Sequence, residues 1–363
     1  MVYEFQTLLN DLVEEGFITC ADKYLIEEYV KRAKSYVDKR VLPPFFNKPL
    51  GVQLEITEKC NMKCIFCYNR SGEPTPRCTE LKDSEWISLA HELVNLGIYE
   101  CVISGGEPLL RKDLVIKVMS ILGENDVRFI LITNGFFFDQ EFLSKIMDFD
   151  FAWIQVSIDA GTPELHDYVR GLRGSWYRAV KAAKMVHDAG IPLCIATTLV
   201  KANLKSLPET IDMACALGAD RFITGEANLV GRAAIHTDSC SLGKSDIKFV
   251  NKVLEEKREE YRFCMEVVKA VDPGIHLNLA ALLPPRVALI RPNGRVKVDC
   301  ILPFVFGNIK RESLGEIWEK RASKAWHYRE VREYIRKART NYDLLRLKPI
   351  PYVDEDVFIG YED

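Results

Sequence analysis

The sequence predicts an α/β protein built on a parallel sheet. Three observations carry that expectation: β-rich runs recur six times between residues 51 and 226, a helical stretch separates each from the next, and glycine or aspartate tends to follow the strands. Six strands, each followed by a helix, pair in parallel through right-handed crossovers. Such sheets place their ligand sites beyond the carboxyl ends of the strands.

Residues 1–45 read as helical, with LLNDLVEEGFI and YLIEEYVKRAKSYVDKRVL carrying apolar residues at helix spacing until Pro43-Pro44 breaks the pattern. The strands follow as GVQLEIT (51–57), ECVISG (100–105), VRFILIT (127–133), FAWIQVSI (151–158), PLCIATTLV (192–200) and DRFITGE (220–226). Helices such as SEWISLAHELVNLG and SWYRAVKAAKMVHDAG lie between them. The alternation ends near residue 235. Residues 244–270 read as a charged helix, and VALIRPNGRVKVD as a hairpin turning at Asn293-Gly294. Residues 312–340 read as helical and basic, with 12 Lys/Arg against 6 Asp/Glu over 310–348, before an acidic tail that reads as an end folding back.

Composition narrows the function classes. The chain has 363 residues and a formal net charge of 49 − 52 = −3, which gives no support for a general nucleic-acid binder. No apolar run approaches the ~20 residues of a membrane span, and MVYEFQTLLNDLVEEGF lacks the basic start of a secretory signal. A cytoplasmic protein is expected. Its 11 cysteines are odd in number and would stay reduced there, so a disulfide framework explains them poorly.

Eight cysteines are scattered: Cys20, Cys78, Cys101, Cys194, Cys215, Cys240, Cys264 and Cys300. Cys101 and Cys194 lie inside apolar runs and read as small buried hydrophobes. The other three form the C-x3-C-x2-C cluster Cys60, Cys64 and Cys67 in TEKCNMKCIFCYNR. A structural zinc site wants four ligands, and no fourth cysteine or placed histidine completes one. Three thiolates on one short loop suit a [4Fe–4S] cluster with one iron open to a ligand.

That loop directly after the first strand, with Gly105-Gly106-Glu107-Pro108 after the second, resembles the radical S-adenosylmethionine (SAM) enzymes over residues 51 to about 232. The resemblance implies an incomplete (β/α)6 parallel TIM-like barrel over residues 49–235, preceded by a helical cap over 1–48. It implies one [4Fe–4S] cluster on Cys60, Cys64 and Cys67, and S-adenosyl-L-methionine (SAM) on its open iron. Phe66 would pack beside cluster and adenine, Gly105 and Gly106 would let backbone approach the methionine end, and Glu107 would partner the SAM amino group. Ser157 and Asp159 match the ribose-binding strand end, Arg170 the partner of the SAM carboxylate, Thr198 the end of the fifth strand, and Val230 the adenine-contacting segment. Thr133-Asn134-Gly135 reads equally as pocket wall or ordinary turn. Glu55 and Glu226 stand at strand ends and face either barrel interior or helix layer.

RPNGRVKVDC followed by FGNIKRESLGEIW resembles the SPASM or twitch extension, implying a small hairpin-plus-helix domain over 236–363. That extension usually carries seven cysteines for auxiliary clusters, whereas here Cys300 has none after it. The auxiliary clusters are expected to be lost, unless Cys240, Cys264 and Cys300 converge. The implied activity is one-electron cleavage of SAM to a 5′-deoxyadenosyl radical that takes hydrogen from a substrate. The electron would come from an external donor such as ferredoxin or flavodoxin. A peptide or protein substrate is expected, with a small metabolite such as a tetrapyrrole or molybdopterin-type precursor as the alternative. A non-catalytic iron–sulfur protein is the more distant one.

Overall fold

The computed structural model describes residues 9–14, 18–73 and 79–360; Cys78 lies outside them. All six expected strands form: β1 Gly51–Glu55, β2 Glu100–Ser104, β3 Arg128–Thr133, β4 Phe151–Ser157, β5 Leu193–Leu199 and β6 Arg221–Glu226. They pair in parallel and in chain order. Between and before them run α1 Cys20–Asp38, α2 Asp83–Leu96, α3 Lys112–Gly123, α4 Gln140–Ile146, α5 Pro163–Arg170, α6 Ser175–Asp188 and α7 Leu207–Ala216. Local chemistry sets their ends. Thr19 and Asp139 accept backbone N–H bonds at the starts of α1 and α4, while Gly97 and Gly171 close α2 and α5 in the left-handed conformation.

The sheet runs past both ends of the expected barrel. After α8 Gly231–Ile235 and α9 Lys244–Tyr261, strand β7 Glu266–Lys269 joins β6. The helix expected over 244–270 therefore stops at Tyr261, and the β-branched pair Val267-Val268 enters the pleat instead. Helix α10 Pro273–Ala280 follows, and its Ile275 packs with Leu9, Leu12 and Ile26 from the N-terminal segment.

The expected hairpin forms from β8 Val287–Ile290 and β9 Arg295–Lys297. What the sequence did not show is its docking: β8 pairs in parallel with β1. With β11 Gly307–Asn308, the ten-stranded order is β11-β9-β8-β1-β2-β3-β4-β5-β6-β7, and β10 Phe304–Val305 stands outside it. The acidic tail folds back as expected. Its strand β12 Val357–Phe358 pairs with β10, and Asp356 meets Arg295 at 3.1 Å. No described helix is long and apolar enough to cross a membrane.

The two faces of the sheet differ. Val52, Leu54, Cys101, Ile103, Leu131, Ile154, Val156, Ile195 and Phe222 are buried against the helices in one apolar core. The alternate residues Gln53, Val102, Ile132, Trp153, Gln155, Ser157, Ala196 and Thr198 are half-buried and outside that core, as residues lining the inside of an open barrel are. By the same alternation Glu55 lies on the inner face, and Glu226 shares the helix side with Phe222 and Thr224.

Candidate active site

The cysteine loop leaves β1 and is gripped from three sides. From β2, Gly106 N–H donates to the Thr57 carbonyl at 2.6 Å and Glu107 N–H to that of Lys59 at 2.9 Å. A Cβ at Gly106 would lie 2.1 Å from the Lys59 carbonyl oxygen, and one at Gly105 2.7 Å from that of Thr57. The resemblance assigns these glycines to the methionine end of SAM. Their neighbour in the structure is the chain's own loop. From α5, the Arg170 and Val169 carbonyls accept from Lys63 and Ile65 N–H, both at 3.1 Å. From α8, Arg232 N–H donates to the Cys67 carbonyl at 2.8 Å, and its guanidinium donates to the carbonyls of Cys64 (2.8 Å) and Ser71 (2.7 Å) and to Glu73 (2.9 Å). Arg232 stands two residues after Val230, and the sequence gives it no separate role.

Burial pushes the Cys60 thiol up to about 12, with help from Glu107 and Cys64, and the Cys64 thiol up to about 11, against the pull of Arg170 and Arg232. Metal binding would have to displace those protons. Among the described residues, no three His, Cys, Asp or Glu side chains stand already gathered as a metal-binding group. The loop nevertheless fits an iron–sulfur cluster in its donors and in its surroundings. Three soft sulfur ligands lie on one loop, two buried guanidinium groups offset negative charge, and the buried polar atoms Asn61 Nδ2 and Ser71 Oγ have no hydrogen-bond partner among the described residues. Cys60, Cys64 and Cys67 would hold the cluster.

Glu107 is fully buried. Its Oε1 accepts from Leu109 N–H at 3.0 Å and Thr133 Oγ1 at 2.7 Å, and its Oε2 from Asn134 N–H at 2.8 Å. A carboxylate offers about four acceptor positions, so one remains for a ligand ammonium. Burial pushes the Glu107 pKa up, and these donors pull it back. Asn134 Nδ2 also reaches Asn61 Oδ1 at 2.9 Å and Cys60 Sγ at 3.8 Å. The Thr133-Asn134 turn thus joins Glu107 to the cysteine loop.

Asp159, Arg170, Thr198 and Phe66 lie together, and Arg170, which the resemblance assigns to the SAM carboxylate, is ion-paired to Asp159. Arg170 Nε donates to Asp159 Oδ2, Thr198 N–H donates to Asp159 Oδ1 at 2.8 Å, and the guanidinium lies 5.4 Å from the Phe66 ring centre. Asp159 N–H donates to His166 Nδ1 at 3.1 Å. Ser157 sits two residues before Asp159 on the inner face. Val230 is fully buried in the main core.

A second polar group, invisible in the sequence, closes the β1–β8–β9 side. Tyr68 Oη donates to Glu55 Oε1 at 2.9 Å, and Arg291 Nη1 donates to Glu55 Oε2 and to Asn69 Oδ1. Tyr352 from the tail lies under both Arg291 (4.3 Å) and Lys297 (4.6 Å) and meets Tyr68 edge-on at 5.5 Å. Lys297 is fully buried; its Nζ has no hydrogen bond among the described residues and stands 3.8 Å from Asp356. Burial lowers its pKa. Cys300 is half-buried beside Glu55 and Lys297. Cys240 Sγ instead donates to the Ile65 carbonyl at 3.6 Å, and Cys264 faces Cys215. The three cysteines considered for an auxiliary cluster are not brought together.

A three-cysteine loop after the first strand of an incomplete parallel barrel is the arrangement that the resemblance to radical SAM enzymes implies. Residues 54–214 match the Radical SAM superfamily and residues 284–343 match SPASM, an iron-sulfur cluster-binding domain; the chain belongs to the radical SAM superfamily. Over 283 residues it is 26% identical to a PqqA peptide cyclase of Granulibacter bethesdensis, covering 74% of each chain. It is also 26% identical over 294 residues to an AdoMet-dependent heme synthase of Methanosarcina barkeri, covering 75% of this chain and 83% of that protein. Streptococcus suis SuiB, solved bound to its precursor peptide SuiA, shares the fold with a TM-score of 0.61 at 16% identity, over 81% of this chain and 68% of that one.

Proposed function

We propose that this enzyme modifies a peptide or protein substrate with a single [4Fe–4S] cluster held by Cys60, Cys64 and Cys67. When bound, cluster and SAM supply a 5′-deoxyadenosyl radical by one-electron cleavage. Glu107 offers its remaining acceptor position to the SAM amino group, and Asp159, Arg170, Phe66 and Thr198 form the wall beside it. Ser157 stands toward the ribose. The electron comes from a ferredoxin- or flavodoxin-type donor in the cytoplasm.

The inner face of the sheet carries the substrate reading. Gln53, Ser104, Gln155, Ser157 and Thr198 present neutral amides and hydroxyls, and its cations Arg291, Lys297 and Arg221 face Glu55, Asp356 and Glu266. Such a lining suits peptide groups, whereas a tetrapyrrole bearing several carboxylates calls for unpaired cations. The likeness to a PqqA peptide cyclase points the same way. The single cluster is supported by Cys300 being the sole cysteine in the SPASM match.

Anaerobically reconstituted protein with dithionite and SAM is expected to release 5′-deoxyadenosine and to contain iron and sulfide for one cluster. Short peptides encoded beside the gene are expected to change mass in that reaction. Turnover of a tetrapyrrole with no peptide product would overturn the substrate, and a second cluster would overturn the count.

A further inference from the structure

Two cysteines far from the cluster loop meet sulfur to sulfur. Cys215 lies in the last turn of α7 and Cys264 in the turn between α9 and β7, 49 residues on, with 3.5 Å between their Sγ atoms. Cys264 is exposed and Cys215 half-buried. The two elements are already tied together. Lys257 Nζ and Tyr261 Oη, at the end of α9, both donate to Asp212, which precedes Cys215 by one turn. Cys264 N–H donates to the Tyr261 carbonyl at 3.0 Å, which fixes the turn.

We propose that Cys215 and Cys264 form a reversible dithiol–disulfide site, a covalent modification site independent of the radical chemistry, whose co-reactant is an external disulfide. A disulfide needs about 2.05 Å between sulfurs, so the two sulfurs must close by roughly 1.5 Å. Cys264 is the accessible sulfur and attacks first, as thiolate, breaking the external S–S bond and releasing one thiol. Cys215 then gives up its proton and attacks Cys264 Sγ in the mixed disulfide, releasing the second thiol. Two electrons and two protons pass from the pair to the reagent, and one bond joins α7 to the α9–β7 turn.

The test uses reconstituted holoenzyme, anaerobically, with oxidised glutathione. Expected is the loss of two alkylatable thiols, a Cys215–Cys264 cross-linked peptide lighter by two hydrogens under non-reducing digestion, unchanged cluster absorbance, and recovery of both thiols with dithiothreitol. Cys215→Ser is expected to stop at a glutathione adduct on Cys264, and Cys264→Ser to show no cross-link. A wild-type protein that keeps both thiols, or holds glutathione on Cys264 while Cys215 remains alkylatable, would falsify the proposal.

Discussion

His166 shows how a single buried side chain sets the acid limit of the site. Its Nδ1 accepts the Asp159 N–H, so the ring is neutral with its proton on Nε2, and burial, then Arg170, pushes its pKa down to about 4. The unfolded chain takes up this proton first, near pH 6.5. Stability from neutral His166 is therefore complete above about pH 6.5 and is lost as pH falls toward 4, up to about 3 kcal/mol. His166→Asn keeps an acceptor and cannot titrate. Urea unfolding at pH 7 and pH 5 is expected to show a smaller drop for the variant, and equal drops would remove His166 from the account. At this scale the sequence was readable where contacts are local. Cys60, Cys64 and Cys67 declare themselves by spacing. Arg232 does not, because the Cys64 carbonyl it binds is 168 residues away, and Lys297 hides in a strand whose inward face only the docked hairpin defines.

Among elements, the cysteine loop is the piece held most thoroughly by others. Strand β2, helix α5 and helix α8 each contribute backbone contacts, and Arg232 alone supplies four hydrogen bonds. Such outer partners typically influence metal affinity about 10- to 100-fold. Arg232→Ala is expected to lose iron to a chelator about 10-fold faster than wild type, with Arg232→Lys intermediate because an ammonium cannot span the Cys64 and Ser71 carbonyls. Iron release that is unchanged in Arg232→Ala would show that the loop holds its shape without the clamp. The six barrel strands and the hairpin were legible because pattern and turn chemistry are encoded nearby. Strand β7 was not: four residues after a charged helix are too few for periodicity to choose between helix and strand.

At the level of the whole molecule, the sheet crosses the boundary that the sequence places near residue 235. β7 extends one edge and β8 the other, so residues after 235 supply strands to both sides of β1–β6. A segment comprising residues 236–363 would leave β7 without β6 and β8 without β1. Expressed alone, it is expected to lack protected amides in β7–β9 by hydrogen exchange, while the full chain protects them; protection in the isolated segment would show an autonomous domain. The tail adds a timing to this architecture. Pro351 accepts the Gly231 N–H at 3.1 Å, and Tyr352 closes over Tyr68, the residue after Cys67, from 352 − 68 = 284 positions further on. At roughly 5–20 residues per second of synthesis, the cysteine loop exists for on the order of 15–60 s before its last wall is made. Throughout that interval Tyr68 and Arg291 stand without the ring that later packs against both of them.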